Sequence, residues 1–199
     1  MTGGLGSGKT TLVRHWLEQE VLADCAVIVN EIGEVPFDSE RLGVDVTAAG
    51  VIAQQCVCCS GLPDLRETLE RFFWDRLHRR MRCFDRVVIE TTGAADPEPV
   101  VELLAGHPFL RDKFRLEAVL TTVSGVAHWP EAQDSFARRQ IALANTLVIT
   151  KCDRITPPVE QALRESLATL VPAVPVTVSG VQTMPDLAPL IREATALGA

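Results

Sequence analysis

Short apolar runs rich in Val and Ile alternate along the chain with longer stretches in which apolar residues recur at helical spacing. A strand covered on both faces reads as a continuous apolar run, and a helix packed on it reads with a period near 3.6. The alternation therefore predicts an α/β fold with a mostly parallel sheet and helices on both faces. The predicted strands are Ala26 to Val29, Arg86 to Ile89, Glu117 to Val123, Thr146 to Ile149 and Val174 to Val178. The most regular helix follows Pro63, where Leu65, Leu69, Phe72, Phe73 and Leu77 share a face and Arg and Glu fill the other, so this aromatic stripe reads as core packing. Pro157-Pro158 opens another helix, since the first turn needs no N–H partner there. Val44 to Thr47 and Val51 to Ala53, around Ala48-Ala49-Gly50, read as a small hairpin. No repeat or long linker interrupts the pattern, and a single domain over residues 1–199 is expected.

The first chemistry on the chain is Gly3-Gly4-Leu5-Gly6-Ser7-Gly8-Lys9-Thr10, which fits G-x-x-x-x-G-K-[ST] and runs into an amphipathic helix carrying Leu12, Val13, Trp16 and Leu17. Glycines let successive backbone N–H groups converge on phosphate without side-chain obstruction, and the helix adds its positive end. Lys9 then reaches the β and γ phosphates, and Thr10 offers a hydroxyl to Mg²⁺. The predicted class is a P-loop NTPase. Such a loop normally leaves a buried strand, and only Met1 and Thr2 precede Gly3, so that first strand is expected to be missing.

Two later segments extend the site. Arg86-Val87-Val88-Ile89 ends in Glu90-Thr91-Thr92-Gly93, at the carboxyl end of a strand, where open α/β sheets deliver functional groups. Glu90 suits the Mg²⁺ water shell, and the Gly93 amide suits contact with a γ phosphate. Thr146 to Ile149 leads into Thr150-Lys151-Cys152-Asp153, an [N/T]-K-x-D turn whose carboxylate accepts N–H donors that guanine has and adenine lacks. GTP is the expected nucleotide. Ser179-Gly180, after the last strand, adds candidate contacts to the base.

Composition narrows the partners. Charged residues make up 23% and apolar residues 47% of the chain, as in ordinary globular proteins, and the formal net charge is −7. An acidic balance argues against a broad nucleic-acid or anionic-membrane surface, since both need clustered Lys and Arg. No apolar run approaches the roughly 20 residues that span a bilayer, and no secretory leader is evident, so a cytoplasmic protein is expected. Six cysteines, three of them in Cys56-Val57-Cys58-Cys59, do not form the spaced pairs of a disulfide framework. Cys56 and Cys58 face one way if the segment is extended, and Cys59 joins them if the chain turns at Ser60-Gly61. Three thiolates with one further ligand suit tetrahedral Zn²⁺, and also Co²⁺ or Ni²⁺. Cys25 and Cys83 read as buried free thiols, and His15, His78, His107 and His128 as ordinary scattered residues.

These segments, in this order, resemble the CobW-type GTPases, relatives of the nickel-inserting GTPases (HypB and UreG types) that mature hydrogenase and urease. The resemblance rests on Thr2 to Thr11, Asn30-Glu31-Ile32-Gly33-Glu34-Val35, the Cys-x-Cys-Cys cluster, Glu90 to Gly93 with Ala95-Asp96-Pro97, and Arg139-Gln140-Ile141 before Thr150 to Asp153. It implies a GTPase that binds zinc or a related transition metal at the cysteines and couples nucleotide state to metal delivery to a client metalloprotein, or to cobalamin-related metal handling. It also implies that Asn30 to Val35 is the first switch, with Glu34 an added candidate metal ligand and Glu31 near Mg²⁺. Nucleotide contacts extend through Thr11, and a homodimer is allowed. Gln55, Ser124-Gly125 and Asn145 depart from the family's usual Gly, Asp-Ala and Asp. The family's C-terminal domain is expected to be absent.

The expected chemistry is in-line attack of water on the γ phosphoryl, with Lys9, Thr10, Mg²⁺ and the loop amides stabilising charge. No Gln or Arg finger is evident, so slow intrinsic turnover between GTP and GDP is expected. The alternatives are a non-catalytic shortened paralogue that only binds nucleotide or metal, and an ATP-dependent small-molecule kinase on the same scaffold.

Overall fold

The computed structural model describes residues 1–22, 24–29, 51–54, 62–127, 135–181 and 183–196. In chain order the elements are β1 (Thr2–Gly3), α1 (Lys9–Glu18), β2 (Cys25–Val29), β3 (Val51–Gln54), α2 (Leu62–Leu77), β4 (Arg86–Glu90), α3 (Glu98–Gly106), α4 (Pro108–Lys113) and β5 (Leu120–Ser124). They continue with α5 (Ser135–Ala142), β6 (Thr146–Thr150), α6 (Pro157–Leu170), β7 (Val176–Val178) and α7 (Leu187–Ala196). Among the described residues every pairing between these strands is parallel, and the fold is the α/β architecture that the alternation predicts. The chain forms two compact units, one of Met1–Leu12, Gly93–Pro97 and Glu117–Ala199, the other of Val13–Thr92 and Glu98–Leu116.

The first unit holds a four-stranded sheet in the order β1-β5-β6-β7. Of the strand expected to be missing ahead of the loop, Thr2 and Gly3 form two residues and pair with Thr121 and Thr122 of β5. The central strand β6, Thr-Leu-Val-Ile-Thr, is buried along its whole length, as a β-branched and aliphatic run between two parallel neighbours should be. Its core joins Val123, Ile141, Leu147, Ile149, Leu163 and Leu167. Asn145 tightens the entry to this pair: its side-chain oxygen accepts from the Val119 N–H at 2.8 Å, and its own N–H donates to the Val119 carbonyl at 2.9 Å. Helix α6 starts as expected with prolines at its first positions, where the missing N–H groups cost nothing.

The second unit holds a three-stranded sheet in the order β3-β2-β4, with β2 buried throughout. Helix α2 buries Leu65, Thr68, Leu69 and Phe72 in a cluster with Ala26, Ile28, Phe84, Val100 and Leu110. The helical stripe read from sequence is core only in part. Phe72 is buried, and Phe73 lies edge-on to Phe109 at 5.3 Å, but Leu77, in the last turn, is 59% exposed. The stripe runs past the end of the surface that covers it. Cys83, expected to be buried, is exposed because it lies in the loop leading to β4, whereas Cys25 is buried at the start of β2. Of the expected hairpin, Val51–Gln54 pairs in parallel with β2 through an irregular register, and Val44 to Thr47 lies outside the described residues. Two strands start later than expected, at Leu120 and Val176.

Candidate nucleotide site

The glycine loop leaves β1 and turns through positive φ at Gly6 (65°) and Gly8 (89°), conformations that glycine adopts without a Cβ penalty. The Ser7 N–H donates to the Gly4 carbonyl at 3.1 Å, and the Leu12 N–H closes the first turn of α1 on Gly8 at 3.0 Å. The Lys9 ammonium, buried, donates to the carbonyls of Gly3 at 2.7 Å and Gly4 at 3.0 Å. A buried cation requires such partners, and here the loop itself supplies them. Thr10 is half-buried and Thr11 exposed in the opening turn of α1, while Leu5 projects at 77% exposure.

Threonines of the neighbouring strands fix the loop from below. The Thr150 hydroxyl donates to the Ser7 carbonyl at 2.7 Å. The Ser7 and Thr122 hydroxyls are 2.6 Å apart, and Thr122 donates to the Thr2 carbonyl at 3.3 Å, which leaves Ser7 as donor to Thr122. Lys151, in the left-handed region at φ 58°, donates from its ammonium to the Gly6 carbonyl at 2.6 Å. The first two residues of the Thr150-Lys151-Cys152-Asp153 turn thus support the glycine loop.

The rest of that turn is tied to the loop after β7. The Cys152 N–H donates to the Ser179 carbonyl at 3.1 Å, and the Ser179 N–H donates to Ile149 at 2.7 Å. One Asp153 oxygen accepts from the Val181 N–H at 3.2 Å, and the Gly180 N–H donates to the Thr183 hydroxyl at 3.2 Å. The Asp153 side chain is 39% exposed, so a carboxylate faces outward from a hydrogen-bonded base. Burial pushes the Cys152 thiol above its usual pKa, against the lowering effect of the Ser179 backbone hydrogen bond.

Gly93 lies against the loop. A Cβ built on it would overlap the backbone of Gly4 and Leu5, so only glycine fits this approach. The segment after it is gripped by α5: the Gln140 amide donates to the carbonyls of Gly93 at 3.3 Å and Ala95 at 2.9 Å, and Arg139 pairs with Asp96 at 2.9 Å. In the sequence Arg139-Gln140 carries the family resemblance and no sign of a role. A polar pair on an amphipathic helix carries no signal of its target.

The first unit thus brings together Gly3, Gly4, Gly6, Ser7, Gly8, Lys9, Thr10, Gly93, Thr150, Lys151, Asp153 and Ser179. Glu90 belongs to the second unit, where it closes β4 and is 2% exposed. Glu31, Glu34, Cys56, Cys58 and Cys59 lie outside the described residues, as does His128. Among the described residues there is no metal-binding cluster of His, Cys, Asp and Glu, and no helix long and apolar enough to cross a membrane.

Residues 1–178 match the family described as CobW/HypB/UreG, nucleotide-binding domain. The zinc chaperone YjiA of Escherichia coli is 37% identical over 77% of this chain and 48% of its own length. The zinc chaperone CobW of Pseudomonas aeruginosa is 31% identical over 87% and 53% respectively. The chain spans about half the length of these curated relatives. The crystal structure of the Zn(II)-bound YjiA GTPase from E. coli superposes with a TM-score of 0.66 at 31% identity, covering 98% of this chain and 60% of that one. With the loop, the Gly93 approach and the Asp153 turn assembled on a parallel sheet, and with the family match running through nearly all of it, the chain belongs to the CobW/HypB/UreG family of nucleotide-binding domains.

Proposed function

We propose that the chain binds and slowly hydrolyses GTP on the loop from Gly3 to Thr10, and that its nucleotide state controls a transition-metal cargo, zinc by preference, passed to a client metalloprotein. The observation that carries the nucleotide half is the loop's support: Lys9 on the Gly3 and Gly4 carbonyls, Thr150 on Ser7 and Lys151 on Gly6. The Thr150 and Lys151 bonds fix the loop backbone, so its N–H groups meet phosphate already in place, which is where electrostatic stabilisation of phosphoryl transfer comes from. Thr11 would extend these contacts. Asp153, braced by Val181, would select guanine, and Ser179 would line the base with its backbone.

The Thr10 hydroxyl at the loop's exit is a hard oxygen donor that fits Mg²⁺, and the Glu90 carboxylate would suit its water shell by the same chemistry. When bound, Mg²⁺ neutralises charge on the β and γ phosphates. In the protein's own part of the chemistry, Lys9 moves from loop carbonyls to phosphate oxygens, and the Gly93 N–H reads the third phosphate. The Gln140 amide nitrogen is held by the Gly93 and Ala95 carbonyls. The metal half rests on Cys56, Cys58, Cys59 and Glu34, a soft donor set suited to Zn²⁺ and tolerant of Co²⁺ or Ni²⁺, and on the zinc chaperones among the relatives.

Competitive binding of GTP against ATP with Mg²⁺, with and without one equivalent of Zn²⁺, tests both halves. The expected result is GTP preference, an affinity that shifts with Zn²⁺, and no shift in Cys58→Ala. ATP preference would overturn the guanine assignment in favour of a kinase-like role. GTP binding without any detectable hydrolysis would leave a binding module.

A further inference from the structure

Gln140 is 1% exposed, and its side-chain nitrogen lies within hydrogen-bond distance of two carbonyls, Gly93 at 3.3 Å and Ala95 at 2.9 Å. Carbonyls only accept, so the amide's nitrogen, with its two hydrogens, must face them. Its helix is held in turn: the Thr121 hydroxyl of β5 donates to the Gln140 carbonyl at 2.9 Å, and Ile141 is buried in the core of this unit. Arg139 adds the ion pair to Asp96 one residue farther along the same segment. Gly93–Pro97 is therefore pinned to α5, while Gly93 itself packs on Gly4 and Leu5.

We infer that Gln140 is a positioning residue for recognition of the third phosphate, fixing the Gly93 backbone against the loop before nucleotide arrives. This rests on the guanine-nucleotide reading above. The argument is one of preorganisation: a donor already in place binds without the ordering cost that a mobile one incurs. Only a triphosphate uses the Gly93 amide. Loss of the Gln140 grip should then weaken triphosphate binding and leave diphosphate binding intact, whereas a residue that merely stabilises the fold would affect both alike. Gln140 holds the Gly93 and Ala95 backbone, so it acts through Gly93.

The test is isothermal titration of Mg²⁺-GDP and of a non-hydrolysable Mg²⁺-GTP analogue into this chain and its Gln140→Met variant, which keeps length and removes both donors. Loss of such buried hydrogen bonds is expected to lower analogue affinity about tenfold, with GDP affinity changed by less than about twofold. Equal losses for both ligands, or no loss for either, would overturn the inference. If Gln140→Met does not fold, Arg139→Met at the exposed ion pair reads the same ratio, with a smaller fall in analogue affinity expected and an unchanged ratio overturning it. Failure of the unaltered chain to bind either nucleotide would instead overturn the guanine-nucleotide reading itself.

Discussion

The Thr150 hydroxyl donates to the Ser7 carbonyl at 2.7 Å, so the first residue of the turn after β6 is an anchor for the glycine loop. Thr150 is buried, and the same hydroxyl lies 3.4 Å from the Val123 carbonyl. Thr150→Val, which keeps the shape, should destabilise the chain by about 1–3 kcal/mol by leaving Ser7 without its donor. Thermal unfolding without nucleotide checks it, and nucleotide affinity should fall in parallel. An unaltered midpoint would mean that water replaces the hydroxyl.

Gly93→Ala should abolish or severely weaken nucleotide binding, because the added methyl overlaps the Gly4 and Leu5 backbone. Gly106→Ala is the matched control: nothing lies within 4 Å of a Cβ there, at the end of α3. It should be neutral or slightly stabilising, alanine being favoured in helices by about 1 kcal/mol over glycine. Binding titrations of the pair separate a steric requirement at Gly93 from a general intolerance of glycine replacement.

Cys152 and Cys83 should differ in thiol chemistry. Burial holds the Cys152 thiol protonated above the ordinary thiol range, while Cys83 is exposed. Since the thiolate is the nucleophile, alkylation followed by peptide mass mapping should modify Cys83 first, with Cys152 reacting only at higher pH. In stability terms the raised pKa favours the folded state below the ordinary thiol pKa, and that contribution is lost as pH rises through the raised value.

Two residues of α2 test how far the core extends. Phe72 is buried and meets Phe84 edge-on at 6.0 Å, so Phe72→Ala should cost about 3–5 kcal/mol. Leu77→Ala, at 59% exposure, should change stability by less than about 0.5 kcal/mol. Denaturant unfolding of both variants checks the contrast, and comparable losses would mean that Leu77 is covered.

Much of this was legible without coordinates. Ala26 to Val29 and Thr146 to Ile149 announce themselves because strands buried on both faces read as near-continuous apolar runs, and they and the partly buried Arg86 to Ile89 all form within one residue of expectation. Leu77 and Cys83 misled for the same physical reason. Periodicity and residue type describe what a segment would bury, but burial also needs a facing surface, and at the end of α2 that surface stops.

By itself the sequence determined the local chemistry: glycines that let the loop turn at Gly6 and Gly8, a lysine directly after them at Lys9, and a carboxylate at Asp153 following a buried strand. These follow from backbone conformation and short spacing, which neighbouring residues specify among themselves. Only the tertiary structure decided that Thr150 supports Ser7 across 143 residues, that Thr122 meets the Ser7 hydroxyl, and that Gln140 grips Gly93 and Ala95. A threonine in a strand or a glutamine on a helix can satisfy its hydrogen bonds in many places. Burial leaves such a group only the partner that packing brings to it.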